Sequence, residues 1–255
     1  MRIDTKILKG KNAFISGATG GIGRAVAAAL AKEGCNLFLT SSDIKINEVI
    51  KSFDNQHINV SGLNGDLSKI GDVYRIINSA KEYFDKIDIL VNSAGIFPNA
   101  KLFDSDDDLF SKTLDINFRS AFLFTREFSK GMVDKQWGRI VNIGSSSAYT
   151  GFSGTSVYCA SKHALLGFSR SIHDELKQYN VRTYCISPSS TQSKMGMLTK
   201  GQDYTTFLDP IDVAKYVVFT LSFDSNLMVE EAFLKRIVVR WWMGEGYQCM
   251  LSNEI

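Results

Sequence analysis

Short apolar runs alternate with longer amphipathic stretches along the chain, and polar or glycine-rich turns separate them. Runs of this length predict buried strands, and the stretches between them carry apolar residues at helical spacing. The predicted strands cover residues 12–16, 36–40, 57–68, 87–95, 138–144, 181–187 and 231–242. Because strands and helices alternate throughout, the pattern predicts an α/β fold with a doubly wound parallel sheet of about seven strands.

The rest of the pattern indicates one domain, residues 1–255, because no repeat or linker interrupts it. Segment 189–209 is different in character, polar and irregular, and a final helix is expected from Pro210. A long helical pattern follows the acidic run 104–108 and contains Asn117 between apolar residues. Asparagine is a poor helix former, so Asn117 is predicted to be either a satisfied core group or a kink that frees a backbone carbonyl.

Three glycines follow the first predicted strand and lead into an alanine-rich helix. Gly17, Gly21 and Gly23 would let the backbone approach a pyrophosphate closely. The helix N-terminus would supply free N–H groups and a favourable dipole. A strand before the motif and a helix after it are the context in which such a turn binds a nucleotide. The turn, which also contains Thr19 and Ile22, is therefore predicted to bind a dinucleotide.

The end of the second strand bears on the choice of cofactor. An acidic residue there would hold the ribose hydroxyls of NAD, but neutral Ser41 occupies the position and Ser42 follows. Asp43 is expected to cap the next helix. NADP(H) is favoured over NAD(H), since no carboxylate repels a 2′-phosphate, although no arginine replaces it. Asp66, at the end of the third strand, has two open interpretations: an acceptor for the adenine amino group, or an N-cap.

Tyr158 and Lys162 are four residues apart, so on a helix they share one face. Ser145 follows the fifth predicted strand, whose end can meet the start of that helix. Lowering a tyrosine pKa by ~3 units takes roughly 4 kcal/mol. An ammonium ~5 Å away at an effective dielectric of about 20 supplies roughly 3 kcal/mol. The three residues therefore predict an acid/base site, although a Tyr-x-x-x-Lys pair alone also arises by chance.

Composition excludes several other classes of function. The net charge of +2 gives no reason to expect a nucleic acid or an anionic membrane as partner. The four cysteines are scattered without a Cys-x-x-Cys pair, which favours reduced thiols over disulfides or a metal site, and no metal is expected. No signal-peptide core or membrane-length apolar run is present, so the protein is expected to be cytoplasmic.

Taken together, these motifs resemble the short-chain dehydrogenase/reductase family over nearly the whole chain. The family's TGxxxGIG corresponds to SGATGGIG at residues 16–23, and its NNAG to NSAG at residues 92–95. Its catalytic asparagine, serine and YxxxK correspond to Asn117, Ser145 and the Tyr158–Lys162 pair, in the family's order and spacing. The resemblance implies a Rossmann-like fold and hydride transfer between NAD(P) and a carbonyl/alcohol pair.

The resemblance also implies a role for each of these residues. Tyr158 would exchange a proton with the substrate oxygen, and Lys162 would lower the pKa of Tyr158 and bind the nicotinamide ribose. Ser145 would position the carbonyl, and Asn117 would hold a water that links Lys162 to solvent. The residues expected to contact the cofactor are Gly17, Thr19, Gly21, Ile22, Gly23, Ser41, Ser42, Asp66, Leu67, Asn92, Ala94, Gly95, Tyr158, Lys162, Pro188, Thr191 and Ser193.

The substrate side departs from the family pattern. Pro188-Ser189 replaces the family's Pro-Gly, and the common C-terminal Asp-Gly-Gly is missing. Segment 189–209 is expected to be the substrate loop. Polar residues are expected around the pocket: Ser146, Ser147, Tyr149, Ser189, Ser190, Thr191 and Gln192. They suit a small-molecule carbonyl such as a sugar derivative or a 3-oxoacyl thioester better than a steroid.

Rival functions fit the sequence less well. A serine hydrolase needs a GxSxG elbow, and the chain has GSSSA and only three histidines. A nucleotide-sugar epimerase needs another glycine spacing and a further substrate domain. The alternative that remains is a non-catalytic sensor or scaffold protein that binds a nicotinamide nucleotide. The intact Ser145, Tyr158 and Lys162 argue against it.

The helices around Asn117 and Lys162 carry apolar residues on more than one face, which predicts a second surface to bury. Members of the family commonly pair through these two helices. A homo-oligomer, dimer or tetramer, is therefore expected. Trp241, Trp242 and Met243 follow the last predicted strand and are expected at or near a subunit boundary, because exposed apolar side chains of this size are costly.

Overall fold

Seven parallel strands form the central sheet in the computed structural model, which describes residues 5–54, 56–199, 201–237, 239–242 and 247–250. The strands are β1 (Asn12–Ser16), β2 (Asn36–Ser41), β3 (Val60–Asn64), β4 (Ile89–Asn92), β5 (Gly138–Ile143), β6 (Val181–Pro188) and β7 (Glu231–Leu234). They lie in the order β3-β2-β1-β4-β5-β6-β7, and every neighbouring pair is parallel. The order reverses between β1 and β4, where ligands of such sheets bind beyond the carboxyl ends of the strands.

Seven α-helices cover the sheet. They are α1 (Gly21–Lys32), α2 (Ile46–Lys51), α3 (Ile70–Tyr83), α4 (Asp107–Leu114), α5 (Ser120–Asp134), α6 (Ser156–Leu176) and α7 (Pro210–Leu221) within the described ranges. Start signals agree with the sequence: Asp106 accepts a hydrogen bond from the N–H of Leu109, and Asp209 accepts one from Ile211 just after Pro210. The prediction of a doubly wound α/β fold is confirmed.

Two apolar cores lie on opposite faces of the sheet, because successive strand side chains point to opposite sides. Ala13 and Ile15 of β1 belong to the core that contains buried residues of α1 and α7. Phe14, between them, belongs to the core that contains residues of α3 and α5. Burial on both faces explains why these strands read as continuous apolar runs. The rigid sheet holds the loops at its carboxyl edge.

The prediction of one last strand over residues 231–242 is wrong. β7 ends at Leu234, and a separate strand, β8 (Val239–Trp242), pairs antiparallel with β9 (Tyr247–Met250). β6 ends at Pro188, opposite Leu234, and the chain then turns into the loop after β6. β7 therefore has no neighbour to pair with beyond Leu234.

Other differences are smaller. The third strand is shorter than predicted, and a single π-helical turn, Asp115–Arg119, separates α4 from α5 within the predicted long helix. Met243 and the side chains of Trp241 and Trp242 lie outside the described residues, so their predicted place at a subunit boundary stays a prediction. Across the described ranges, none of the helices combines the length and apolarity that crossing a membrane requires.

Candidate active site

The glycine turn between β1 and α1 is built for close backbone contact. Gly17 has a φ of +69°, and a Cβ there would lie 2.8 Å from the backbone of Ala94. A Cβ on Gly23 would lie 2.3 Å from the carbonyl oxygen of Gly17. The N-cap of α1 is Gly20, so no side chain satisfies the first N–H groups of the helix. This arrangement leaves backbone donors for a phosphate group.

Ser16 fixes this turn against the segment that follows β4. Its hydroxyl oxygen accepts hydrogen bonds from the N–H groups of Ser93 and Ala94, each at 3.2 Å. Both glycine-containing turns are thereby held together at the carboxyl edge of the sheet. Ser16 is not among the predicted site residues, although its place at the start of the glycine motif is a signal that could have identified it.

The end of β2 carries hydroxyl groups without charge. The Thr19 and Ser41 hydroxyl oxygens are 2.6 Å apart, and Ser41 is buried while Ser42 is exposed. Asp43 accepts from the N–H of Lys45, but α2 begins at Ile46 with no side-chain cap. The expectation that Asp43 caps this helix is wrong, because the N-cap is Lys45 and Asp43 forms only a turn before it. The side chain next to Thr19 is the neutral Ser41.

Asp66 takes part in a local turn after β3. Its Oδ1 accepts from both the N–H and the hydroxyl of Ser68, at 3.0 and 2.8 Å. These hydrogen bonds hold the pKa of Asp66 below its usual range. The N-cap of α3 is Lys69, so Asp66 is not the N-cap itself. Leu67 beside it is buried.

The first part of the loop after β6 lies over the start of α1. A Cβ on Gly21 would be 2.9 Å from the Cβ of Ser193, whose hydroxyl donates to the carbonyl of Thr191. Thr191 forms an isolated bridge with Leu208, which closes the loop on itself. Pro188, Thr191 and Ser193 therefore line the same edge as the glycine turn, and their contact with the cofactor stays a prediction.

Ser145 and Tyr158 meet at the carboxyl end of β5. Ser145 lies two residues after the end of the strand, and Tyr158 lies in the first turn of α6. The ring of Phe97 packs edge-on against Tyr158 with 4.8 Å between ring centres. Tyr158 is only 6% exposed. Burial raises the pKa of Tyr158 to about 12, although the neighbouring Ser145 side chain acts in the opposite direction.

Lys162 lies one turn further along α6, in the protein interior. Its Nζ donates to the carbonyl of Ile143 at 2.9 Å and lies 5.8 Å from the centre of the Tyr158 ring. Burial lowers the pKa of Lys162 to about 8. The prediction that Lys162 lowers the pKa of Tyr158 is wrong for this structure. Burial of the phenol raises that pKa, and the side chain that acts against the increase is Ser145, not Lys162.

Asn117 lies in the π-helical turn and connects three segments. Its Oδ1 accepts from the N–H of Ile96 at 2.8 Å, and its Nδ2 donates to the Ile96 carbonyl and to the Ser161 hydroxyl, both at 3.0 Å. The first predicted alternative is confirmed, since Asn117 is a buried group with its hydrogen bonds satisfied. The helix is also irregular around it, but a freed backbone carbonyl stays a prediction. Gly95 lies between Asn117 and Lys162, because a Cβ there would be 3.3 Å from the Asn117 Oδ1 and 3.8 Å from the Lys162 Nζ.

Asn92 differs from the other predicted cofactor contacts. Its buried side chain donates to the Asn142 Oδ1 at 2.8 Å, and its Nδ2 is 3.4 Å from the Thr125 hydroxyl. The side chain thus ties β4 to β5 and α5. The structure brings Ser145, Tyr158, Lys162 and Asn117 to one edge, but it gives Asn92 a supporting position between elements.

Comparison with known proteins agrees with this geometry. The family model for short chain dehydrogenase matches residues 11–203. The chain belongs to the short-chain dehydrogenase/reductase family. Members of this family are NAD(P)-dependent oxidoreductases that act on CH–OH groups, and the chain is such an oxidoreductase.

Individual relatives and solved structures cover most of the chain. An oxidoreductase of Escherichia coli (strain K12), YgcW, is 34% identical over 78% of this chain and 76% of its own length. L-rhamnose 1-dehydrogenase (NADP(+)) of Thermoplasma acidophilum is 35% identical over 71% of this chain and 73% of its own. The crystal structure of a metagenomic short-chain oxidoreductase in complex with NADP has a TM-score of 0.79 and 25% identity, and covers 90% of this chain and 98% of that chain.

The residues at this edge of the sheet fit a dinucleotide. The glycine turn packs so closely that a Cβ on Gly17 or Gly23 would clash with neighbouring backbone, and the first turn of α1 has no side-chain cap. The neutral hydroxyls of Thr19 and Ser41 lie beside it. None of the described side chains forms a cluster that could hold a metal ion.

Proposed function

We propose that the protein reduces a polar carbonyl compound, such as a sugar derivative or a 3-oxoacyl thioester, to an alcohol with NADPH. One observation carries this proposal: a buried phenol, Tyr158, lies beside Ser145 and one helical turn from the buried Lys162. When bound, the cofactor would supply the hydride.

The protonation state of Tyr158 supports the direction of reduction. With a pKa of about 12, the phenol keeps its proton at neutral pH and can donate it to a developing alkoxide. Ser145 is positioned to hold the same oxygen by a hydrogen bond. The Lys162 ammonium would then favour the phenolate that remains, since an opposite charge nearby stabilises the charged form.

Lys162 and Asn117 would restore the proton afterwards. Asn117 and Lys162 lie on either side of Gly95, and their hydrogen-bonding groups point into the same small region. We assign to them the path by which a water would connect Lys162 with solvent. In this scheme Asn117 also keeps Ile96 and α6 in place through its three hydrogen bonds.

The preference for NADP(H) rests on the end of β2. Ser41 and Ser42 put no negative charge there, and the nearest carboxylate in sequence, Asp43, accepts from the backbone of Lys45. A 2′-phosphate would therefore meet hydroxyls and not a carboxylate. The NADP named for the metagenomic oxidoreductase and for the rhamnose dehydrogenase supports the same choice.

We also propose a homo-oligomer in the cytoplasm. Phe110 of α4 and Phe122 of α5 are 51% and 38% exposed, and Phe168 of α6 packs against Phe118 and Phe122. This aromatic surface, formed by Phe110, Phe118, Phe122 and Phe168, suits burial against a second copy. The free thiols of the three cysteines with described side chains agree with a reducing compartment.

Turnover of Tyr158→Phe tests the function. The variant should bind NADPH with nearly unchanged affinity but reduce carbonyl substrates at least ~100-fold more slowly, because it lacks the proton donor. Tyr83→Phe, on α3 and away from the site, is the matched control and should keep full activity. Screening the purified wild-type protein with NADPH and a panel of carbonyl compounds identifies the substrate on which both variants are then assayed. Equal turnover of Tyr158→Phe and wild type would refute the assignment.

A further inference from the structure

Arg236 follows β7 and folds back onto the loop after β6. Its Nη2 donates to the Gln202 Oε1 at 2.7 Å, and its Nη1 is 3.4 Å from the Thr206 hydroxyl. The guanidinium carbon lies 4.9 Å from the centre of the Phe207 ring. All three contacts lie in segment 189–209, so Arg236 packs against the expected substrate loop.

The charge of Arg236 has no acidic partner within the described ranges. Its acceptors are a carboxamide and a hydroxyl, both neutral, and its Nε is buried without a hydrogen-bond partner. Arg139, whose side chain is wholly buried, is instead paired with Asp224 at 2.6 Å, and Arg170 is paired with Glu231. Arg236 is half-buried, and even partial burial of a guanidinium without a counterion is costly, so the position favours an anion.

The place of Arg236 in the fold is on the substrate side of the sheet. Leu234 of β7 pairs with Pro188 and accepts from the N–H of Ser189. One residue before Pro188, the Ser187 hydroxyl lies against Gly144, since a Cβ there would be 2.2 Å from it. Gly144 directly precedes Ser145. Segment 189–209, which Arg236 contacts, therefore begins near Ser145.

Two adjacent hydroxyls lie at the start of the same loop. The Ser190 hydroxyl donates to the Gln202 Oε1 at 3.4 Å, as Arg236 also does. The hydroxyl oxygen of Ser189 is buried and has no hydrogen-bond partner among the residues that the structure describes. A carboxamide has the shape of a carboxylate, with an oxygen in the position that the guanidinium prefers. Gln202 thus occupies the place that a carboxylate would fill.

We propose that Arg236, with the hydroxyls of Ser189 and Ser190, binds a carboxylate group of the substrate, which displaces the Gln202 carboxamide. The proposal rests on the proposed function and narrows its substrate class to carbonyl compounds that also carry a carboxylate. Arg236 selects the substrate and takes no part in proton transfer.

Reduction of matched pairs tests this inference. The pairs are 2-, 3- and 4-oxo carboxylic acids, each with its methyl ester, assayed with NADPH. Wild type should prefer acids over esters in kcat/KM by about 10- to 100-fold, the scale of a hydrogen bond to a charged group. Arg236→Gln should lower the ratio of acid to ester kcat/KM to about 1, and Arg236→Lys should recover part of that ratio. A merely structural role would lower kcat/KM for acids and esters alike and leave their ratio unchanged.

Two further measurements keep the inference separate from the proposed function. Gln202→Glu places a permanent carboxylate opposite Arg236 and should reduce the acid preference without changing ester reduction. Calorimetric titration of levulinate, a 4-oxo carboxylate, into the protein with NADP⁺ measures binding without turnover. Arg236→Gln should weaken the affinity for levulinate about 10-fold or more. Equal reduction of acids and esters by wild type, or equal levulinate affinity of the two proteins, would overturn the inference. If no carbonyl is reduced but levulinate binding depends on Arg236, the proposed function fails and the carboxylate site stands.

Discussion

Replacing Lys162 with methionine should stabilise the protein at neutral pH although it removes a residue of the active site. The Lys162 side chain is buried, and within the described part of the chain it has no carboxylate partner and one hydrogen-bond acceptor, the carbonyl of Ile143. Burial lowers the pKa of Lys162 from 10.5 to about 8. The fold therefore disfavours the ammonium that the proposed mechanism uses.

The size of the effect follows from linkage between protonation and folding. A shift of this size corresponds to roughly 3 kcal/mol of unfavourable free energy in the folded state, present in full below pH 8. Between about pH 8 and 10.5 the unfolded state binds more protons than the folded state, so the contribution of Lys162 to stability rises with pH. Methionine leaves the Ile143 carbonyl without its donor, which costs about 1–3 kcal/mol.

The difference in the free energy of unfolding between Lys162→Met and wild type should change sign as the pH rises. At pH 7 Lys162→Met should be about 1 kcal/mol more stable than wild type, and by about pH 10 it should be less stable, because the lysine is then neutral and still hydrogen-bonded. Tyr158 and Cys35, whose burial raises the pKa of each to about 12, are present in both proteins, so their titration cancels in the difference.

Urea unfolding without cofactor at pH 7, 8, 9 and 10 measures this difference. Lys32→Met, on the exposed side of α1, is the control and should show no such pH dependence. A difference between Lys162→Met and wild type that stays constant from pH 7 to 10 would refute the buried, desolvated lysine. So would a variant that is less stable at every pH.

Two further predictions concern the cofactor and the assembly. Ser41→Asp should reverse the preference for NADPH over NADH, because the new carboxylate repels a 2′-phosphate. Ser42→Asp, at the exposed neighbouring position, is the control and should have a smaller effect. Fluorescence titration with both cofactors measures the preference, and a wild type that prefers NADH would contradict the prediction. Phe122→Ser should weaken the homo-oligomer, because less apolar surface is buried between subunits. Ile44→Ser is the control, at a side chain that is 80% exposed and lies outside the aromatic surface, and it should leave the oligomer unchanged. Light scattering measures the mass of the assembly, and a monomeric wild type would contradict the proposal.

Local sequence pattern predicted the strands and helices and the order of the motifs. Apolar runs buried on both faces, the glycines before α1 and the four-residue spacing of Tyr158 and Lys162 are short-range features that each segment carries by itself. The sheet then brings together Ser145, which lies after the end of β5, and Tyr158, which lies at the start of α6. For this reason the meeting of Ser145 and Tyr158 could be predicted from the sequence.

Features that depend on the environment in three dimensions were decided only by the tertiary structure. The pKa values of Tyr158 and Lys162 move through burial, and the amount of burial is a property of the packed elements around them. The strand predicted over 231–242 ends at Leu234 because β6 stops at Pro188, which no pattern within that segment shows. In the sequence Arg236 is one residue of that predicted strand, and only the fold sets it against Gln202 and Phe207, with no carboxylate partner among the described residues.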